Sequence, residues 1–150
     1  MKRIALAVSA TLAVLVALPA AAQFQKPEQA IKYRQSSFAL LGSHFGRLGP
    51  MIQGKVPFDA KVVQDNIAIA AVIAPLPFAA FGEGTDKGET KAKPEVWSKA
   101  DEFKASGAKM VDAINALNAA AKTGDADKIK VAFGDTGKTC KGCHDNFRKE

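Results

Sequence analysis

The residues best suited to chemistry are Cys140-Lys141-Gly142-Cys143-His144, close to the end of the chain. They include both cysteines and one of the two histidines of the protein. On a helix, Cys140, Cys143 and His144 fall at positions i, i+3 and i+4, so all three side chains share one face. C-x-x-C-H is the attachment pattern of a c-type haem: the two thiols add across the porphyrin vinyl groups and the adjoining imidazole ligates the iron. A redox C-x-x-C needs a preceding strand in a βαβ setting, which the sequence lacks. A zinc cage would have to recruit the distant His44 as its fourth ligand, and no spacing supports that. A plain disulfide would leave His144 without a role. The pattern therefore predicts one covalent haem c per chain, with His144 as metal ligand and Cys140 and Cys143 as cofactor-binding residues.

A helix must carry this motif, and others must cover the porphyrin. Pro27 suits the first position of a helix, with Glu28 in its first turn. Ile31, Arg34, Phe38, Leu41, Phe45 and Leu48 then recur at three- and four-residue steps, predicting a helix to about Leu48, ended by Gly49-Pro50. Residues 53–57 read as a loop. Asp59 is the expected N-cap of a second helix, with Phe58 and Val63 placed as a hydrophobic staple. That helix carries Val63, Ile67, Ala70 and Ile73, and Pro75 and Pro77 must kink or end it. The glycine-rich stretch 81–93 reads as a long connection. Pro94-Glu95 is expected to open a third helix whose seam is Val96, Ala100, Phe103, Gly107, Met110, Ile114, Leu117 and Ala121. Gly107 leaves room there for a close neighbour. Gly124 stops this helix and Asp125 caps the fourth, which presents Ile129, Phe133, Thr136, Cys140, Cys143 and Phe147. Four amphipathic helices without a credible strand predict an all-α, antiparallel up-down-up-down four-helix bundle binding covalent haem c.

Residues 1–22 read as a secretory signal peptide: Lys2 and Arg3, an apolar run from Ile4 to Leu18, then Pro19 and Ala20-Ala21-Ala22 as a small-residue cleavage site. The apolar run is short for a membrane anchor and lacks a basic stop-transfer flank. The mature domain is then 23–150, expected in the periplasm and free of the membrane. Removing Lys2 and Arg3 from the 21 basic residues leaves 19 against 15 acidic ones, a net of +4. The lysines are spread along the chain, which fits a solvated surface with weak steering toward acidic partners. Export and the lack of an aromatic-basic platform exclude nucleic acid.

Six segments together give the chain a specific likeness. They are Lys32–Ser36 (KYRQS), Ser43–Arg47 (SHFGR), Ala79–Thr85 (AAFGEGT), Pro94–Trp97 (PEVW), Ala132–Asp135 (AFGD) and Cys140–Arg148 (CKGCHDNFR). Across essentially the whole mature chain, the sequence resembles the cytochrome c prime family, the class II c-type cytochromes. The resemblance implies a homodimer with pentacoordinate, high-spin haem that binds nitric oxide or carbon monoxide, transfers electrons, or both. It makes Cys140 and Cys143 the thioether residues and His144 the proximal ligand. Arg148 matches the basic residue beside that histidine, and Arg34 and Gln35 match haem-contacting positions where a cation can answer a propionate. Glu89 approximates another haem-edge position, with Thr90 the neighbouring alternative in a loop longer than in some relatives. Phe38 stands where the family often has leucine on the distal face, and a phenyl ring offers iron no ligand atom.

The first helix has no methionine to act as a sixth ligand. His44 lies about 240° round that helix from Phe38, off the haem-facing stripe. These readings predict a gas-binding cytochrome that is not an enzyme, since Phe38 can act as neither acid nor base. The alternative is a dedicated electron carrier, its redox partners unknown, in which the open axial position is incidental.

Overall fold

A computed structural model of the chain describes residues 23–150; the signal peptide read at 1–22 lies outside the described residues. Four long helices form the body: α1 (Pro27–Gly46), α3 (Ala60–Ile73), α5 (Ala100–Thr123) and α6 (Ala126–Phe147). Short helical turns α2 (Gly49–Ile52) and α4 (Glu95–Ser98), and a 3-10 segment at Leu76–Ala80, join them. The caps follow from chemistry visible in the sequence. The Asp59 carboxylate accepts from the backbone N–H groups of Lys61 and Val62, and Asp125 does the same for Asp127 and Lys128. Gly124 closes α5 at φ 70°, a left-handed conformation that suits glycine.

The helices pack as an antiparallel four-helix bundle in which α5 lies against both α3 and α6, and α3 against α1. Phe45 of α1 stacks on Phe133 of α6 at 4.1 Å between ring centroids and closes the fourth side. Around that pair, Leu48, Val63, Ile67, Leu117, Ala121 and Ile129 form a fully buried layer. Burying each larger aliphatic side chain contributes about 1.5–3 kcal/mol. A second layer joins Leu41, Ala70, Ile73, Met110 and Ile114, with Phe38, Phe78 and Cys140 packed against it. The third gathers Val96, Phe103 and Phe147, with Phe81, Trp97 and Cys143 at its edge. Two layers thus end on a cysteine of the C-x-x-C-H motif, so the core itself positions the site.

Several boundaries differ from the sequence expectation. Gly49-Pro50 ends α1 but opens α2 directly, because proline is compatible with a first helical turn. Phe58 keeps 39% exposure, a weak staple at best. The third helix is broken at Lys99 (φ −123°, ψ 47°), so α5 begins afresh at Ala100, which is exposed rather than part of the seam. The Trp97 indole N–H explains the break: it lies 3.1 Å from the Phe81 carbonyl and ties α4 down to the loop. The last helix stops at Phe147, leaving Arg148 extended. Ala60–Ala80 is apolar enough to span a membrane by composition, with mean hydropathy 1.6, but it is split here into α3 and the 3-10 segment.

Candidate haem site

Cys140, Cys143 and His144 all lie within α6, the first two half-buried and unpaired, the third exposed. Burial pushes the Cys140 thiol up, and burial followed by the neighbouring Cys140 does the same to Cys143. Both are held as neutral thiols, the reverse of the depressed pKa that redox C-x-x-C motifs need. No strand precedes them; among the described residues the only β pairing is an isolated Ala92–Arg148 bridge. The His144 imidazole is held below its ordinary pKa by partial burial and then by the Arg148 charge, against the opposing pull of Asp145. A neutral imidazole with a free nitrogen is the metal-binding form.

A run of aromatic rings shares the core layers of the two cysteines. Phe38 meets Phe78 edge-on at 5.9 Å and Phe81 at 6.4 Å. Phe81 in turn packs on Phe103 at 4.7 Å, and Phe103 on Phe147 at 5.3 Å. Beside these rings a cleft of about 590 Å³ opens between the 3-10 segment, α4 and α5, lined by Phe78, Phe81, Trp97, Phe103, Gly107 and Val111 among others. Neither cysteine lines it, so this cleft borders the motif's surroundings through shared phenylalanines and is distinct from the thiol face itself.

Arg34 is only 2% exposed. Its guanidinium donates to the carbonyl of Ala80 (2.9 Å), to the hydroxyl and carbonyl of Thr85 (2.8 and 2.7 Å) and to the Thr90 hydroxyl (2.9 Å). It also lies 4.3 Å from the Phe81 ring centroid and 5.6 Å from that of Trp97. Burial lowers its pKa to about 10, so it stays charged at neutral pH. Among the described residues no carboxylate forms an ion pair with it. Gln35 donates to the Glu89 carbonyl at 2.8 Å, while the Glu89 side chain is exposed. Arg34, Gln35, Glu89 and Thr90 thus come together where α1 meets the loop 81–93. The far end of that loop is clasped by the chain terminus: Lys93 N–H donates to the Phe147 carbonyl (2.9 Å) and Lys149 N–H to the Lys91 carbonyl (2.8 Å).

Arg148 keeps its charge near His144, but not through helical spacing, because it caps α6 in an extended conformation. His44 is bound to Asn66 at 2.9 Å, away from the motif. Sequence reasoning did not single out Phe78, Phe81, Trp97 or Phe103 as site residues. Their only advance signal is the aromatic density around the AAFG and PEVW segments.

These residues fit a covalently held porphyrin. Two neutral thiols sit one turn apart on an apolar face, an available imidazole adjoins them, and on the loop side a buried cation, bonded to four neutral acceptors, has no carboxylate partner among the described residues.

The sequence pattern of the cytochrome C' family matches residues 29–148. Cytochrome c' of Rubrivivax gelatinosus is 57% identical over 129 residues, which cover 85% of this chain and 100% of that protein. Cytochrome c' of Alcaligenes xylosoxydans xylosoxydans is 48% identical over 128 residues, covering 85% and 99%. The Rubrivivax gelatinosus crystal structure superposes with a TM-score of 0.82 at 57% identity, over 85% of this chain and 100% of its own. A nitric oxide complex of a variant of the cytochrome c prime from Alcaligenes xylosoxidans gives 0.81 at 48% identity, over 85% and 99%. The helical bundle, the thiol-bearing last helix and these relatives lead to one conclusion: the chain belongs to the cytochrome c' family and carries covalent haem c.

Proposed function

We propose that this is a periplasmic cytochrome in which His144 is the single protein ligand to iron and the opposite face binds small uncharged gases, nitric oxide and carbon monoxide. Cys140 and Cys143 hold the cofactor by thioether bonds. Each bond forms when a neutral thiol adds across a vinyl group, sulfur to one carbon and hydrogen to the other. Haem supplies a redox-active iron with an open coordination position. The chain's own work is to keep that position dry and small. Phe38, Phe78 and Phe81 present hydrocarbon edges with no proton to give and no lone pair to donate, so anions and water gain nothing there. Arg34 and Gln35 serve the propionate side, with Glu89 at the loop edge, and Arg148 tunes the proximal side beside His144. The same rings supply no acid–base pair, so the protein is a carrier and not an enzyme.

The observation that carries this reading is the run of phenyl rings packed in the same core layers as Cys140 and Cys143. Absorption spectra of the purified ferric and ferrous protein test it, and five-coordinate, high-spin iron is expected. A six-coordinate, low-spin spectrum without added ligand would overturn it and point to Met110, which is 5% exposed and packs in the same layer as Phe38 and Cys140. Phe38→Ala should accelerate carbon monoxide association roughly tenfold or more, a barrier change of about 1.4 kcal/mol or above.

Electron transfer to periplasmic redox partners is the second reading, favoured by the surface exposure of His144, which brings the site within reach of a partner. Homodimerisation through α1 and α3 is supported by the outward apolar side chains of Leu40, Ile69 and Val72. The leader at 1–22 supports export.

A further inference from the structure

We infer that Gly107 is a positioning residue for Phe38: the missing side chain at 107 seats the Phe78 ring, and Phe78 fixes the Phe38 ring over the gas-binding face. The inference rests on the reading that Phe38 guards that face. Gly107 is buried on the seam of α5, in mid-helix. Glycine there costs about 1 kcal/mol relative to alanine, and its backbone angle is not among the positive ones that would require glycine. The reason for it is steric. A Cβ at 107 would stand 2.6 Å from Cε1, 2.9 Å from Cζ and 3.0 Å from Cδ1 of Phe78, whereas at no other glycine would a Cβ come closer than 3.5 Å to a neighbour. Phe78 rests directly on the bare helix backbone.

Phe78 stands between α5 and α1. One edge of its ring faces Gly107, and the ring meets Phe38 of α1 at 5.9 Å and 88°. The other aromatic neighbour of Phe38 is Phe81, itself held by Arg34 at 4.3 Å and by Phe103 at 4.7 Å. Phe38 therefore leans on two rings that share Phe103 as a neighbour (5.8 Å from Phe78, 4.7 Å from Phe81) and differ in their other support, Arg34 for Phe81 and the bare backbone of Gly107 for Phe78. A methyl group at 107 must push Phe78 by close to an ångström to restore the 3.4–4 Å of ordinary contact. A ring pushed off Gly107 moves toward Phe38 of α1 or into the cleft it lines with Gly107, and either displacement alters its edge-on contact with Phe38.

The test is carbon monoxide association with the ferrous holoprotein, measured for wild type, Gly107→Ala, Phe38→Ala and the double variant. Gly107→Ala should slow association roughly tenfold, about 1.4 kcal/mol, and should change it less than about twofold when Phe38 is already alanine, as a relay through Phe38 requires. Phe78→Leu in the Gly107 background should loosen Phe38 and speed association. It also keeps the test decisive if Gly107→Ala does not fold. A readout independent of gas binding is the contact between labelled Phe38 and Phe78 rings by NMR, which should be altered in Gly107→Ala and not in an Ala108→Gly control. A wild-type rate in both Gly107→Ala and Phe78→Leu, or an equal slowing with and without Phe38, overturns the inference. An unchanged rate in Phe38→Ala alone sinks the gating reading instead.

Discussion

Replacing Arg34 by alanine should unfasten the loop 81–93 while leaving the bundle folded. The Thr85 hydroxyl retains its bond to the Gly82 carbonyl, and the Thr90 hydroxyl still accepts from the Ala92 N–H. The uncompensated losses are the two carbonyls of Ala80 and Thr85, at about 1–3 kcal/mol each, and the stacking on Phe81 and Trp97, roughly 1 kcal/mol. Against them stands the relief of a buried charge. The lowering of the guanidinium pKa to about 10 by burial corresponds to a desolvation cost on the order of 3 kcal/mol. The balance is a destabilisation of about 2 kcal/mol, or roughly 6–10 °C in melting temperature for a domain of this size. Thermal unfolding followed by circular dichroism measures the global effect. Trypsin measures the local one, because Lys87 and Lys91 lie exposed in the fastened loop. Cleavage there should become much faster in the variant. Arg34→Lys should behave nearly as badly, since an ammonium keeps the charge but has no planar fork to serve four acceptors or to stack on two rings. A variant that melts within about 2 °C of wild type and resists trypsin equally would refute the idea that this one cation organises the loop.

Further expectations are simpler to state. Cys140→Ser with Cys143→Ser should release all pigment into acid-acetone, while each single variant keeps it bonded to protein; mass spectrometry of the intact chain checks this. Val72, 70% exposed on α3, should be a centre of the dimer surface, so Val72→Glu should halve the mass found by sedimentation equilibrium. Asp125→Ala should lower the melting temperature at pH 7, and Asp125→Asn, which keeps a capping oxygen but loses the charge facing Lys128, should lower it less. The backbone and side-chain hydrogen bonds of Lys128 hold the Asp125 carboxyl below its ordinary range. Its stabilisation is therefore complete above the unfolded aspartate value of about 3.9 and drains away as pH falls through the lowered folded value. The gap between Asp125→Ala and wild type should close in acid, as melting curves at stepped pH would record.

What could be read from the chain was what local spacing controls. The buried stripe of α3 and the seam from Phe103 to Ala121 follow the 3.6-residue period, and so does the shared face of Cys140 and Cys143. The caps at Asp59 and Asp125 and the stop at Gly124 follow from side-chain and backbone chemistry within four residues. The break at Lys99 was not legible, because neither glycine nor proline marks it; it is imposed by Trp97 reaching a carbonyl sixteen residues away in sequence. Arg34 could be placed on the inner stripe of α1. Its partners, 46 to 56 residues distant, could not. The seat that Gly107 offers Phe78 is of the same kind: the sequence shows the small residue, and only the packed bundle shows which ring occupies the space.

The pairing of residues 91–93 with 147–149 has a consequence for the order of assembly. The residues that complete this clasp follow Cys140 and Cys143 in the chain, so the loop cannot be fastened before both thiols have been made. Until residues 147–149 pair with 91–93, Cys143 borders an unfastened loop, so this pairing can close over the site after the thiols have reacted.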